Sequence, residues 1–256
     1  MGRPEALVRQ GEAAGPRVSR TLVILPALNE EGALRQVLRE LHLYCPSLHV
    51  LVVDDGSIDD TAVVARSEGA AVARLLFNLG VGGALQTGFR YAVAHGYGQA
   101  VQFDADGQHD ATQVPVLLTA LDEGADLVIG SRFAEAGCDY GVGRIRGGAM
   151  GILRVAVRLL SGRSFSDTSS GFRAFSAPML ECYSTTYPVE YMESPEALLL
   201  ACQRGFRVVE VPVRMRPRAA GSPSNQHFRL AYHYVRALVA MFSQAGRRLP
   251  PPGRAP

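Results

Sequence analysis

Asp104-Ala105-Asp106-Gly107-Gln108-His109 sets two carboxylates one residue apart, directly after the apolar run Gln99–Phe103. If the backbone turns between them, Asp104 and Asp106 can share one hard divalent cation, and Gln108 can add an oxygen ligand. Such an ion, Mg²⁺ or Mn²⁺, keeps several waters and takes further oxygens from a phosphate-bearing substrate. Bridging a diphosphate, it stabilises the charge that builds there as a leaving group departs. An Asp-x-Asp alone occurs by chance on the order of once in a chain of this size, usually as a solvated turn. Its place at the end of a strand-like run sets this one apart.

Three further groups have chemical potential. Asp54-Asp55-Gly56-Ser57 ends the apolar run His49–Val53. A carboxylate there can accept hydrogen bonds from a base NH or a ribose hydroxyl, though Asp, Gly and Ser equally favour a plain turn and helix cap. Asn78-Leu79-Gly80-Val81-Gly82-Gly83-Ala84 is glycine-rich but matches neither GxGxxG nor a Walker loop, so a tight turn is expected. Arg132, Arg144, Arg146, Arg173 and Arg218 can make bidentate phosphate contacts. Arg132 stands out among them because it ends a strand-like run. Nucleophilic hydrolysis has no support. There is no Gly-x-Ser-x-Gly elbow, and of six scattered histidines only His109 adjoins a credible site.

The elements that must position these groups alternate. Thr21–Leu25, His49–Val53, Ala71–Phe77, Gln99–Phe103 and Leu127–Ile129 read as strands. Glu30–Leu43, a helix from Asp59 or Asp60 to about Glu68, Gly82–His95 and Val114–Leu121 lie between them. Strand–helix alternation predicts an α/β fold with a mostly parallel, Rossmann-like sheet covered by helices on both faces. In such sheets ligands bind beyond the carboxyl ends of the strands. Asn29-Glu30, Asp54-Asp55, Asp104–Gln108 and Ser131-Arg132 should therefore converge on one crevice. Further on, Ile145–Leu160 and Pro195–Arg204 read as helices, Asp167–Phe175 as a loop entering a strand, and Val208–Met215 as a strand.

Composition narrows the class. A net charge of +2, from 26 basic and 24 acidic residues, supplies no field for nucleic acid. Values of 47% hydrophobic and 20% charged residues suit a globular chain rather than a disordered one. Cys45, Cys138, Cys182 and Cys202 have no CxxC or zinc-type spacing, consistent with free thiols in a reducing cytoplasm. Residues 1–20 lack the apolar centre of a signal peptide and are expected to be a flexible tail. No stretch holds the ~20 uninterrupted apolar residues of a membrane span.

In order along the chain stand Pro26-Ala27-Leu28-Asn29-Glu30, Asp54-Asp55-Gly56-Ser57, Asn78-Leu79-Gly80, Asp104-Ala105-Asp106-Gly107-Gln108-His109, Gly130-Ser131-Arg132 and Asp167-Thr168-Ser169-Ser170-Gly171-Phe172-Arg173. From about Thr21 to Ser224 this resembles the family-2 glycosyltransferases, in their dolichol-phosphate mannose synthase-like branch. The resemblance implies a glycosyltransferase A-type fold and inverting transfer of a hexose from a nucleoside-diphosphate sugar to a polyprenyl phosphate. GDP-mannose is the first donor expected and UDP-glucose the second. It also implies that Pro26, Leu28 and Glu30 contact the nucleotide, with Val53 and Asp55 beside its base or ribose. Ala105, Asp106 and Gln108, with Asp104 nearby, match the metal and diphosphate segment. Arg132 matches a phosphate-contacting arginine, Arg146 one that meets the acceptor phosphate, and Arg218 a donor contact. The pattern departs at Met150, where many relatives have Ser, and at Gly221-Ser222-Pro223-Ser224, where many have Lys.

A polyprenyl phosphate is already anionic and needs cations for positioning rather than a base. A hydroxyl acceptor, on a soluble glycan or natural product, would need a carboxylate base, with Asp167, Glu193 and Glu196 as candidates. A non-catalytic nucleotide-sugar-binding relative is the third alternative. The expected organisation is a catalytic domain over 21–225, an amphipathic helix over 226–245 and a tail over 246–256. In that helix Phe228, Tyr232, Val235, Leu238, Val239 and Phe242 share a broad apolar face. Such a face serves equally for packing on the domain, for a dimer, or for peripheral contact at the cytoplasmic membrane surface.

Overall fold

The computed structural model describes residues 20–133, 144–188, 193–216 and 227–244. Their elements are β1 (Thr21–Ala27), α1 (Glu31–Tyr44), β2 (His49–Asp54), α2 (Thr61–Ser67), β3 (Ala71–Arg74), α3 (Gly80–Ala94) and β4 (Gln99–Gln102). A single 3-10 turn, Ala111–Gln113, leads into α4 (Val114–Asp122) and β5 (Leu127–Ser131). Then follow α5 (Arg144–Ser161), β6 (Arg173–Ser176), α6 (Ala177–Thr186), α7 (Glu193–Gln203), β7 (Val208–Pro212) and α8 (His227–Gln244).

The strands form one sheet in the order β3-β2-β1-β4-β6-β5-β7. Every pairing is parallel except those of β6, which runs antiparallel to both β4 and β5. Both faces are covered, so the central strands are apolar throughout. On β1, Leu22 and Ile24 face a core shared with Leu85 and Phe89 of α3, Tyr183 of α6, Leu198 of α7 and Met241 of α8. Val23 and Leu25 face the opposite core, with Leu34 and Leu38 of α1 and Leu117 of α4.

Boundaries move where pairing partners run out. Ala71–Phe77 yields only the strand Ala71–Arg74, because its one neighbour, β2, ends at Asp54. Leu76 and Phe77 pass into an exposed loop. Val208–Met215 stops at Pro212, opposite the last residue of β5 and at a residue without an N–H to continue the ladder. Helix α3 begins at Gly80, ahead of the expected Gly82, because the Asp55 carboxylate accepts hydrogen bonds from the N–H groups of Leu79 and Gly80, at 2.7 and 2.9 Å. Helix α6 carries no clear amphipathic signal, since it packs between α3 and the sheet. Among the described residues no helix is long and apolar enough to cross a membrane.

The topology also decides what lies at the carboxyl edge. Parallel β1, β2, β4 and β5 all end there. Antiparallel β6 starts there, so the loop before it, residues 166–172, reaches the same edge.

Candidate active site

The acidic segment is held from within. The Asp104 backbone N–H donates to His109 Nδ1 at 2.9 Å, which leaves the proton of the neutral ring on Nε2. Nε2 faces Asp104 Oδ2 at 3.4 Å. The ring stacks on Phe172 and meets Phe103 edge-on, with centroids 4.8 and 5.2 Å away. Burial holds the imidazole below the usual histidine range, outweighing the pull of the Asp104 and Asp106 carboxylates. Asp106 is buried, and its Oδ1 accepts from the Gln108 N–H at 3.0 Å. The Asp104 side chain is about one-third exposed, at 35%, so this carboxylate remains open to a ligand. Gly171 presses on it. A Cβ at Gly171 would sit 2.8 Å from Asp104 Oδ2, so a side chain there would push this carboxylate from its place.

A second lock holds Arg132. Its Nε and Nη2 donate to Asp167 Oδ2 and Oδ1 at 2.7 and 2.9 Å, a bidentate pair, and Nη2 also donates to Ser169 Oγ at 3.0 Å. Burial pushes the Asp167 carboxyl up, but the Arg132 guanidinium and the backbone N–H groups of Ser169 and Arg132 outweigh it. The group is held below its usual range. Glu210 of β7 supports this loop from behind, accepting from the N–H groups of Ser166 and Asp167 at 2.8 Å each. Residues 167–171 thus touch Arg132 at one end and Asp104 at the other. The charges of Arg132, Asp104 and Asp106 all act on His109, so they share one site.

The turns after β1 and β2 cap one another. Asn29, in the left-handed region at φ 55°, accepts from the Ile58 N–H through Oδ1, and its own N–H donates to Ser57 Oγ, both at 3.0 Å. The Glu30 N–H donates to Thr61 Oγ1 at 2.9 Å. Gly56 has φ 79° and lies against the backbone of Phe77 and Asn78, which a Cβ would meet at 3.0 Å. Asp59, not Asp60, receives the first N–H of α2, from Thr61 at 3.0 Å. Pro26 and Glu30 are half-buried beside exposed Leu28.

These contacts sort the candidates. Asp54 is structural, its oxygens taken by the Ser57 N–H at 2.9 Å and by Arg74 at 3.2 Å. Burial raises the Asp55 pKa against the lowering effect of its two backbone donors, and each oxygen keeps a lone pair for a ligand. The Val53 and Ala105 side chains point into opposite cores, so only their backbones can meet a nucleotide. Arg173 is not a phosphate contact. It is fully buried and donates to the carbonyls of Ser170, Ser194 and Thr168 at 2.8, 3.1 and 3.2 Å. As a general base Asp167 fails, because both oxygens serve Arg132 and its pKa is low. Glu196 is buried in α7. Arg146 lies in the first turn of α5 and Glu193 opens α7, but their side chains, and all of Arg218, lie outside the described residues.

Sequence reasoning missed Glu210, Ser169 and Gly171. Glu210 left a signal, an acid inside the apolar run Val208–Val211. Such a residue needs a buried partner. The other two stand in the Asp167–Arg173 motif, which by itself gave them no role.

A strand-end crevice lined by an Asp-x-Asp turn and a locked arginine, on a seven-stranded mixed sheet, defines a glycosyltransferase A-type fold. Glucosyl-3-phosphoglycerate synthase from Mycobacterium tuberculosis, solved with Mn²⁺, uridine diphosphate and phosphoglyceric acid, superposes with a TM-score of 0.72 at 22% identity, over 90% of this chain and 79% of that one. The glycosyl transferase family 2 model matches residues 22–184, and the chain belongs to that family. Polyprenol monophosphomannose synthase of Mycolicibacterium smegmatis is 35% identical over 210 residues, 79% of each chain. Undecaprenyl-phosphate mannosyltransferase of Micrococcus luteus is 33% identical over 213 residues, 79% of this chain and 86% of its own.

Proposed function

We propose that this enzyme transfers a hexose, with inversion, from a nucleoside-diphosphate sugar to a polyprenyl phosphate, working as a peripheral protein on the cytoplasmic membrane face. GDP-mannose is the first donor and UDP-glucose the second. The observation that carries the reading is a guanidinium fixed by Asp167 in the same crevice as an Asp-x-Asp pair. Relatives named for polyprenyl-phosphate mannosyl transfer, similar over most of their length, support the acceptor.

Among the described residues there is no cluster of three or more His, Cys, Asp or Glu that could hold a metal. Two carboxylates and an amide oxygen nonetheless suit Mg²⁺ or Mn²⁺, which draws its remaining ligands from water and phosphate. Asp104, Asp106 and Gln108 would hold the ion, which when bound offsets the charge of the departing diphosphate. Asp55 and the turn Pro26–Glu30 receive the nucleoside. Arg132 orients a phosphate oxygen, with Arg146 and Arg218 as further phosphate contacts. An acceptor oxygen forms a bond to the anomeric carbon as the bond to the diphosphate breaks. The attacking phosphate carries its charge already, so no base is needed. A hydroxyl acceptor would need one, and the commitment of Asp167 to Arg132 disfavours that alternative.

The test supplies radiolabelled GDP-mannose or UDP-glucose and a short polyprenyl phosphate, with Mn²⁺ or EDTA. Label is expected in the organic phase from GDP-mannose with Mn²⁺ and not with EDTA. Metal-dependent donor hydrolysis without lipid product would move the acceptor to a soluble hydroxyl compound.

A further inference from the structure

The chain leaving β7 joins the two halves of the crevice. Past Pro212, the Val213 N–H donates to the Ser131 carbonyl at 3.0 Å, beside Arg132. Val213 itself is buried against Gly130, where a Cβ would sit 3.0 Å from its Cγ2. Two residues on, Met215 makes an antiparallel bridge to His109. The Arg216 N–H then donates to the Gln108 carbonyl at 2.8 Å. Residues 213–216 therefore run from the strand end that carries Arg132 to the turn that carries Asp104, Asp106 and Gln108.

The Arg216 side chain completes this link. Its Nη1 donates to Glu40 Oε2 of α1 at 2.6 Å, and its Nη2 to Asp110 Oδ1 at 3.1 Å, partners 176 and 106 residues away in sequence. Asp110 Oδ1 already accepts from the Thr112 N–H and hydroxyl, at 3.0 and 2.8 Å, so the 3-10 turn is capped without Arg216. Gln108 gives its N–H to Asp106 Oδ1 and its carbonyl to the Arg216 N–H. Its backbone is thus held from both sides, which fixes where its side-chain amide starts. The Arg216 side chain is 39% exposed, and an ion pair that open to water contributes little to stability. A guanidinium also carries the wrong sign to attract a cation. What Arg216 offers this site is geometry.

We propose that Arg216 is a positioning residue for the cation site. Its fork pins the Gln108–Asp110 end of the acidic turn to α1 and to the chain leaving β7, and so presents Gln108 alongside Asp104 and Asp106 before a nucleotide arrives. The inference rests on the assignment of Asp104, Asp106 and Gln108 to a divalent ion, and adds a residue that acts through the turn rather than on the ion. The sign of the effect separates this role from an electrostatic one. Removing a positive charge near a bound cation tightens its binding. Loosening a partner that orients the ligands weakens it, by roughly tenfold or more. Arg216→Lys keeps the charge and loses the planar fork, so only geometry changes there.

The test is calorimetric binding of GDP and of UDP to the full chain, with excess Mn²⁺ and with EDTA. The ratio of the two affinities reports what the cation contributes. Wild type, Arg216→Gln and Arg216→Lys are compared, with circular dichroism and melting curves to report the fold. The gain from Mn²⁺ is expected to fall about tenfold in Arg216→Gln and about threefold in Arg216→Lys, with the affinity in EDTA unchanged. The Mn²⁺ concentration for half-maximal sugar transfer should rise by the same factors. A wild-type gain in both folded variants, or a larger one in Arg216→Gln, overturns the proposal and leaves the metal reading standing. An equal loss with Mn²⁺ and with EDTA marks a general structural role and also overturns it. If Arg216→Gln does not fold, Arg216→Lys decides alone, and a full gain there sinks the idea. Wild type that gains nothing from Mn²⁺ with either nucleotide removes the metal reading itself, and this inference with it.

Discussion

Asp106→Asn is expected to abolish sugar transfer while leaving the fold intact. The substitution removes one charge and almost no volume. An asparagine Oδ1 can still accept the Gln108 N–H that Asp106 Oδ1 takes at 3.0 Å, so the turn keeps its internal bond. What disappears is one of two carboxylates in the crevice. If Asp104 and Asp106 hold a divalent ion against the diphosphate, losing one forfeits several kcal/mol of charge stabilisation. About 4 kcal/mol corresponds to roughly a thousandfold loss in kcat/KM. Steady-state transfer at saturating Mn²⁺, with a melting curve on the same sample, checks both halves. Near-normal turnover with an unchanged melting temperature would remove Asp106 from the metal assignment. The third ligand can be tested the same way through Gln108→Ala, with a smaller loss, since its oxygen is neutral.

The other large effect lies at the Arg132–Asp167 pair. Arg132→Lys keeps the charge but loses the planar fork that meets Asp167 through two bonds and Ser169 through a third. A fall of roughly a hundredfold in kcat/KM is expected, as for loss of one preorganised electrostatic donor. Asp167→Asn leaves the arginine in place and removes the carboxylate charge beside it. Its expected signature is thermodynamic as well as kinetic. The native Asp167 pKa is lowered, so its stabilising contribution is complete above the unfolded value, about 4, and is lost as pH falls through the lower native value. At pH 7 the variant should be about 2–3 kcal/mol less stable than wild type. That is somewhat under the range for a fully buried pair, because Arg132 retains some contact with water. The gap should close in acid, where wild type loses the same interaction. Urea titrations across that pH range measure it. A gap that stays constant into acid would show that the carboxylate charge contributes nothing there.

Much of the architecture is written locally. Strand runs, helical periods and polar strand ends act over a few residues, so they are legible without knowing what lies across the sheet. The parallel β1, β2 and β4 follow from strand–helix alternation, and the crevice follows from parallelism. The hydrogen bonds inside the Asp104–His109 turn are equally local, between residues no more than five apart. What local pattern cannot carry is pairing between distant segments. Strand β6 is four residues long, and only its neighbours make it antiparallel. That reversal delivers Asp167 to Arg132 across 35 residues and Gly171 to Asp104 across 67, and it turns an arginine at a strand end into a held guanidinium. Glu210 reaches Ser166 across 44 residues for the same reason.

Arg173 makes the contrast plain. In the sequence it is one of five arginines able to contact phosphate. In the fold, complete burial and three backbone carbonyls make it a structural clamp. The sequence by itself determined the strand-end carboxylates, the turns that present them and the helices between, because hydrophobic period and turn chemistry are local. Tertiary structure alone decided which charges meet, because strand order and register bring together groups that the chain keeps dozens of residues apart.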